Sequence, residues 1–134
     1  MPPKIEFLDH VALRVKDLEA SAEWYQRVLG LQKYQRADWG PFPVLMLAGL
    51  SGLALFPFKA HHHNTSPARF VDHFAFRISK EQIPVTLEHL ESLEIDFEIQ
   101  DHPPFQSIYF YDLDGYRIEL MAQVTSDDFF GEPN

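Results

Sequence analysis

Phe7-Leu8-Asp9-His10-Val11-Ala12-Leu13-Arg14-Val15 returns 63 positions later as Phe70-Val71-Asp72-His73-Phe74-Ala75-Phe76-Arg77-Ile78. Both copies carry Asp-His-x-Ala-x-Arg in an alternating frame, the period of a β-strand. In the first copy Phe7, Val11, Leu13 and Val15 share one face. Leu8, His10, Ala12 and Arg14 share the other, so His10 points away from the more apolar side. The same offset lays Gly115-Tyr116-Arg117-Ile118-Glu119 on Gly52-Leu53-Ala54-Leu55-Phe56. A repeat at fixed spacing marks a fold of two similar units. Two histidines and a carboxylate at recurring strand positions form a metal-site pattern.

The segments between the repeated strands follow one order in both halves. Asp17 is placed to cap a helix whose apolar positions Leu18, Ala22, Tyr25 and Val28/Leu29 keep helical spacing, and Gly30 is placed to end it. Strands follow at about 32–38, 43–48 and 52–58, the last two joined by a turn around Gly49 to Gly52. The second half repeats the order with a strand at 70–78, a helix at about 80–93 and strands near 95–101, 106–111 and 116–122. Ser79 with Gln82 reads as a capping box, Ile83, Leu87 and Leu90 as the buried stripe, and Pro84 falls where a missing N–H costs little.

The 134 residues have single-domain size, and 46% hydrophobic content with 12 phenylalanines fills one sizeable core. The expected organisation is one domain over 1–134: module 1 at about 5–58, a linker at about 59–69, module 2 at about 70–124 and a tail at 125–134. A net charge of −9 with acids spread through both halves argues against nucleic acid as partner, because phosphate binding needs clustered Lys and Arg. No apolar run reaches the roughly 20 residues of a bilayer span, and the N-terminus lacks a signal-peptide layout, so the expectation is a cytoplasmic protein with no membrane partner. With no cysteine, any metal must take nitrogen and oxygen ligands.

Glu119 stands mid-strand between Ile118 and Leu120, and a buried carboxylate is costly unless paired or bound to a metal. A salt bridge to Arg14, Arg77 or Arg117 is the plain explanation. Tyr109 precedes Glu119 by ten residues; it reads either as a core aromatic or as a group facing substrate. Hairpin register separates the two readings, since a three-residue loop puts Tyr109 and Glu119 on one face and a two-residue loop does not. Arg14 and Arg77 share the face of their histidines, where they either meet an anionic substrate or pair with carboxylates across the sheet. Trp39, before Gly40-Pro41-Phe42-Pro43, is placed to wall a small-molecule pocket, whereas Trp24 is explained by helix packing. His61-His62-His63 reads as a loop segment or an adventitious metal binder.

Asp-His-Val-Ala-Leu-Arg-Val at 9–15, Asp-His-Phe-Ala-Phe-Arg-Ile at 72–78 and Tyr-Phe-Tyr-Asp-Leu-Asp-Gly-Tyr-Arg-Ile-Glu-Leu at 109–120 together resemble the vicinal oxygen chelate superfamily of glyoxalases, bleomycin- and fosfomycin-resistance proteins and extradiol dioxygenases. The resemblance covers nearly the whole chain. It implies an α+β fold of two tandem βαβββ modules forming a cup-shaped mixed sheet, with helices outside. It also implies one divalent metal ion per site (Fe, Mn, Ni or Zn), with ligands His10, His73 and Glu119. The place of a fourth ligand falls on Phe56 or its neighbour Leu55, and neither binds metal, which departs from glyoxalase I.

A metal-dependent enzyme is therefore expected, acting on a small oxygen-rich substrate by bidentate chelation and oxyanion stabilisation. Glu119 and Tyr109 are its catalytic candidates, with Arg14, Arg77, Trp39 and Phe56 as weaker substrate contacts. Two alternatives are an extradiol-type dioxygenase, for which His61, His62, His63 and His102 are only roughly placed, and a metal-free binding protein like the bleomycin-resistance proteins. The resemblance also implies a homodimer.

Overall fold

A computed structural model describes residues 1–2, 4–58 and 71–125. The chain divides into two compact units, Met1–Ser66 and Pro67–Asn134. The linker histidines 61–63 and the segment 126–134 lie outside the described residues.

The first unit runs β1 (His10–Val15), α1 (Leu18–Leu29), β2 (Gln32–Tyr34), β3 (Val44–Ala48) and β4 (Ser51–Pro57). Its sheet order is β1-β4-β3-β2, with β1 parallel to β4 and the other pairs antiparallel. α1 forms as its signals require: the Asp17 side chain accepts from the Ala20 N–H, and Gly30 ends the helix at φ 66°. The second conformation is left-handed and open to glycine at little cost. Tyr25, Ala22 and Val28 of α1 are buried, as are Leu13, Val15, Met46, Leu53 and Leu55 of the sheet. His10 is exposed, on the side of β1 away from this core, as the alternation of the strand predicts.

The second unit runs β5 (Phe74–Arg77), α2 (Gln82–Ser92), β6 (Glu98–His102), β7 (Phe105–Tyr111) and β8 (Arg117–Gln123), in sheet order β5-β8-β7-β6. Ile108, Phe110, Ile118, Leu120 and Ala122 are buried on one face. The register Ala75↔Glu119, Tyr109↔Glu119 and Ser107↔Met121 collects His73, Arg77, Ser107, Tyr109, Arg117 and Glu119 on the other.

Several local expectations are corrected. The strand expected over 32–38 ends at Tyr34, and Ala37–Trp39 is instead a 3-10 turn. The Ser79/Gln82 capping box does not form: Glu81 holds the cap position in a helical conformation without a side-chain cap bond, and the Gln82 N–H donates to the Ser79 carbonyl at 2.9 Å. A backbone turn satisfies the donor that the box would have satisfied. Of the expected stripe on α2, Leu90 is buried, while Ile83 and Leu87 are half-buried.

The two units are not related by one offset throughout. In the first, Ala12 pairs with Ala54; in the second, Ala75 pairs with Glu119. The counterpart of Glu119 is therefore Ala54 and not Phe56. The turn accounts for part of this shift: Gly49-Leu50 alone separates the paired residues Ala48 and Ser51, whereas 112–116 separate Tyr111 and Arg117. The longer turn is held by the Asp112 carboxylate, which accepts from the Asp114 and Tyr116 N–H groups, and by Gly115 at φ 86°.

Candidate metal centre

His73, just ahead of β5, and Glu119, in the middle of β8, meet on the polar face of the second unit. His73 Nε2 lies 2.9 Å from Glu119 Oε1, and His73 Nδ1 lies 2.6 Å from Asp72 Oδ2. Because a carboxylate only accepts, both ring nitrogens face acceptors. The two contacts are satisfied together either by an imidazolium that donates from both nitrogens or by an Nδ1–H donating to Asp72 with a metal ion between Nε2 and Glu119. The separation matches two ligands bound at about 2.1 Å and roughly at right angles to each other, the bond length of imidazole and carboxylate on a small divalent ion. The donor set thus fits a metal of the nitrogen and oxygen class, with Asp72 as the outer partner that fixes tautomer and ring orientation.

Glu119 is only 7% exposed. Its partners are not the arginines named as its plain explanation: Oε2 accepts from the Ser107 hydroxyl at 2.5 Å. Arg117 instead lies 3.8 Å from Asp72 Oδ2 and 4.1 Å over the Tyr109 ring. Tyr109 is directly opposite Glu119 and stacks edge-on with His73 at 5.7 Å. The Asp112 N–H donates to the Tyr116 carbonyl at 2.9 Å, which closes a three-residue loop of Leu113, Asp114 and Gly115, the length that puts both side chains on one face.

Burial first, then the charge of and hydrogen bond to Glu119, raise the Tyr109 phenol above its ordinary value near 10.0, with Ser107 and Arg117 opposing. A proton held more tightly in the folded than in the unfolded state stabilises the fold below that ordinary value, and the contribution is lost as pH rises through the folded one. In alkaline titration at 295 nm of metal-free protein, the difference between wild type and Tyr109→Phe should ionise above the ordinary tyrosine value of 10.0. A difference that ionises at or below that value would contradict the placement.

His10 of the first unit repeats the inner half of this arrangement: its Nδ1 lies 2.7 Å from Asp9 Oδ2. The sheet positions beside it differ, with Gly52 where His73 has Arg117 and Ala54 where a second carboxylate would stand. Among the described residues no cluster of three or more His, Asp or Glu side chains gathers as a metal-holding group. Of the weaker candidates, Arg14 donates to the Pro57 carbonyl at 3.2 Å and lies 5.0 Å over the Phe56 ring. Phe56 also stacks against Phe42 at 6.1 Å. Trp39 is 43% exposed on its turn. Arg77 lies over Phe105 and lines an open hollow of about 550 Å³ with Ser79, Lys80 and Thr125, which includes none of His73, Tyr109 or Glu119. His102 bonds Gln100 at 2.9 Å.

Asp9, Asp72 and Ser107 went unassigned in the sequence. The doubled Asp-His was the visible signal for the first two, because the repeat keeps Asp beside each histidine. For Ser107 the only signal was its place two residues from Tyr109, on the same strand face.

Two βαβββ units of mixed sheet, with a histidine–carboxylate pair on the polar face beside the last strand, define the vicinal oxygen chelate class of α+β proteins. The chain belongs to the Glyoxalase/Bleomycin resistance protein/Dioxygenase superfamily, whose family model matches residues 7–120. It is similar to the glutathione transferase FosA of Serratia marcescens, 26% identical over 116 residues, covering 87% of this chain and 80% of that one. It is also similar to the fosfomycin resistance protein FosX of Listeria monocytogenes, 26% identical, covering 88% and 90%. A solved FosX variant complexed with Mn(II) and 1S,2S-dihydroxypropylphosphonic acid superposes with a TM-score of 0.70 at 23% identity over 89% of this chain and 93% of that one. Among the described residues no helix is long and apolar enough to cross a membrane.

Proposed function

We propose that this protein is a divalent-metal-dependent enzyme acting on a small oxygen-rich molecule, with His73, Glu119 and His10 as ligands. The observation that carries the reading is the His73–Glu119 pair at 2.9 Å, with Asp72 2.6 Å from the other ring nitrogen. His10, oriented by Asp9, is assigned as the third ligand from the repeat; it comes from the same chain or from a second copy in a dimer. When bound, the ion supplies Lewis-acid stabilisation of an oxyanion on the substrate. The chain's residues hold and orient: Asp72 and Asp9 fix the imidazoles, Ser107 fixes the carboxylate, and the Tyr109 hydroxyl, kept protonated by its hydrogen bond to Glu119, turns from that bond to donate to a substrate oxygen. The FosX complex with Mn(II) and a dihydroxypropylphosphonic acid supports both the ion class and a compact, polyoxygenated substrate.

The position of Tyr109, opposite Glu119 and against His73, also favours a second reading, an extradiol-type dioxygenase. One assay separates the two. Protein loaded anaerobically with Mn(II) or Fe(II) is offered an epoxide phosphonate with water or a thiol, a thiohemiacetal of an α-ketoaldehyde, and a set of catechols under oxygen-electrode monitoring. Metal-dependent turnover of either of the first two classes supports the primary reading, and catechol-dependent oxygen uptake supports the second. A protein that holds about one metal per chain and turns over none of them is not an enzyme of this type.

A further inference from the structure

Glu119 shows different partners on its two oxygens. Oε2 accepts from Ser107 at 2.5 Å, and Oε1 lies 2.9 Å from His73 Nε2. Ser107 is 1% exposed on β7, diagonally across the strand pair from Glu119. A hydroxyl buried without a partner costs about 1–3 kcal/mol, so this position favours serine only if its hydrogen bond is made. The bond that satisfies the serine also immobilises the carboxylate, since a short bond to a charged acceptor is about twice as strong as a neutral one. Without it Glu119 keeps, among the described residues, only its Tyr109 and His73 contacts to set its orientation.

We propose that Ser107 is a positioning residue that makes Glu119 a one-oxygen ligand, an inference that rests on the metal-dependent reading above. With Oε2 engaged, Oε1 alone is offered beside His73. A carboxylate bound through both oxygens takes two positions on a six-coordinate ion, and one bound through a single oxygen takes one. Were an ion bound, His73 and Glu119 Oε1 would hold it while Oε2 stayed on Ser107, leaving more of the ion open to substrate oxygens than a two-oxygen carboxylate would.

The test compares metal-free and Mn(II)-loaded full-length protein, as wild type, Ser107→Ala and Ser107→Thr, by infrared carboxylate bands and by electron-paramagnetic-resonance titration of free Mn(II). Wild type should show the wide separation of antisymmetric and symmetric stretches that marks one-oxygen binding. Ser107→Ala should narrow that separation and weaken Mn(II) binding about 10-fold or more, the usual size of an outer-partner loss. Ser107→Thr, which keeps the hydroxyl, should restore both. A narrow separation in the wild type overturns the proposal whatever the variants do, as does unchanged affinity and band separation in Ser107→Ala. Wild type that binds no Mn(II) sinks instead the reading on which the proposal rests, leaving Ser107 as the partner of a plain histidine–carboxylate pair.

Discussion

Replacing His73 by alanine lowers divalent-metal affinity by more than about 100-fold, because losing a ligand exceeds the 10- to 100-fold loss typical of an outer partner. The imidazole side chain is 31% exposed, so truncation opens little core volume. Glu119 keeps its bond from Ser107, so the second unit stays folded. The loss is therefore one of binding and not of structure. Elemental analysis of untagged protein, beside a triple variant lacking His61, His62 and His63, checks it. About one metal per chain in wild type and in the triple variant, and none in His73→Ala, is the expected result. Metal retained in His73→Ala but lost from the triple variant would place the ion in the linker and remove the basis for the proposed site.

Gly52→Ala destabilises the protein by about 2 kcal/mol, within the range for forcing a methyl group into a packed site. A Cβ at this position would meet the Met46 carbonyl oxygen at 2.2 Å and the Leu47 Cα at 2.9 Å. Both obstacles are backbone of the adjoining strand β3, and neither can rotate away. The sign is informative, since glycine-to-alanine changes at sites of compatible backbone usually stabilise by about 0.4–1 kcal/mol. Gly52 also donates its N–H to the Asp9 carbonyl at 3.1 Å and pairs with His10, so the strand separation caused by a methyl group reaches the Asp9–His10 dyad. Urea denaturation is the measurement. A midpoint equal to or above that of wild type would mean that β3 and β4 yield more readily than their register implies.

The two changes also show how differently the molecule could be read. His73 was identifiable in the sequence because its surroundings repeat: the same Asp precedes it and the same Ala and Arg follow it as around His10. Glu119 stood out as a charge between apolar strand neighbours. Gly52 carried no such mark, because its necessity comes from the strand lying against it. Ser107 was equally silent, since a serine in an aromatic-rich strand is unremarkable until its hydroxyl is found on the Glu119 carboxylate.

Local signals decided what local physics controls. The alternation of β1, the helix from Leu18 to Leu29 between Asp17 and Gly30, and the repeated strand-helix-strand-strand-strand order all follow from side chains within a few residues of one another. Their energetics are those of backbone dihedrals, caps and one-sided burial. The register of each closing hairpin was settled only in the folded sheet, and with it the pairing of Tyr109 with Glu119 and the replacement of Phe56 by Ala54 as the counterpart of Glu119. Register depends on hydrogen bonds between strands distant in sequence and on how many residues each turn absorbs. A repeat copied at a constant spacing therefore specified two similar units, while the pairing of the closing strands decided which residues stand opposite one another.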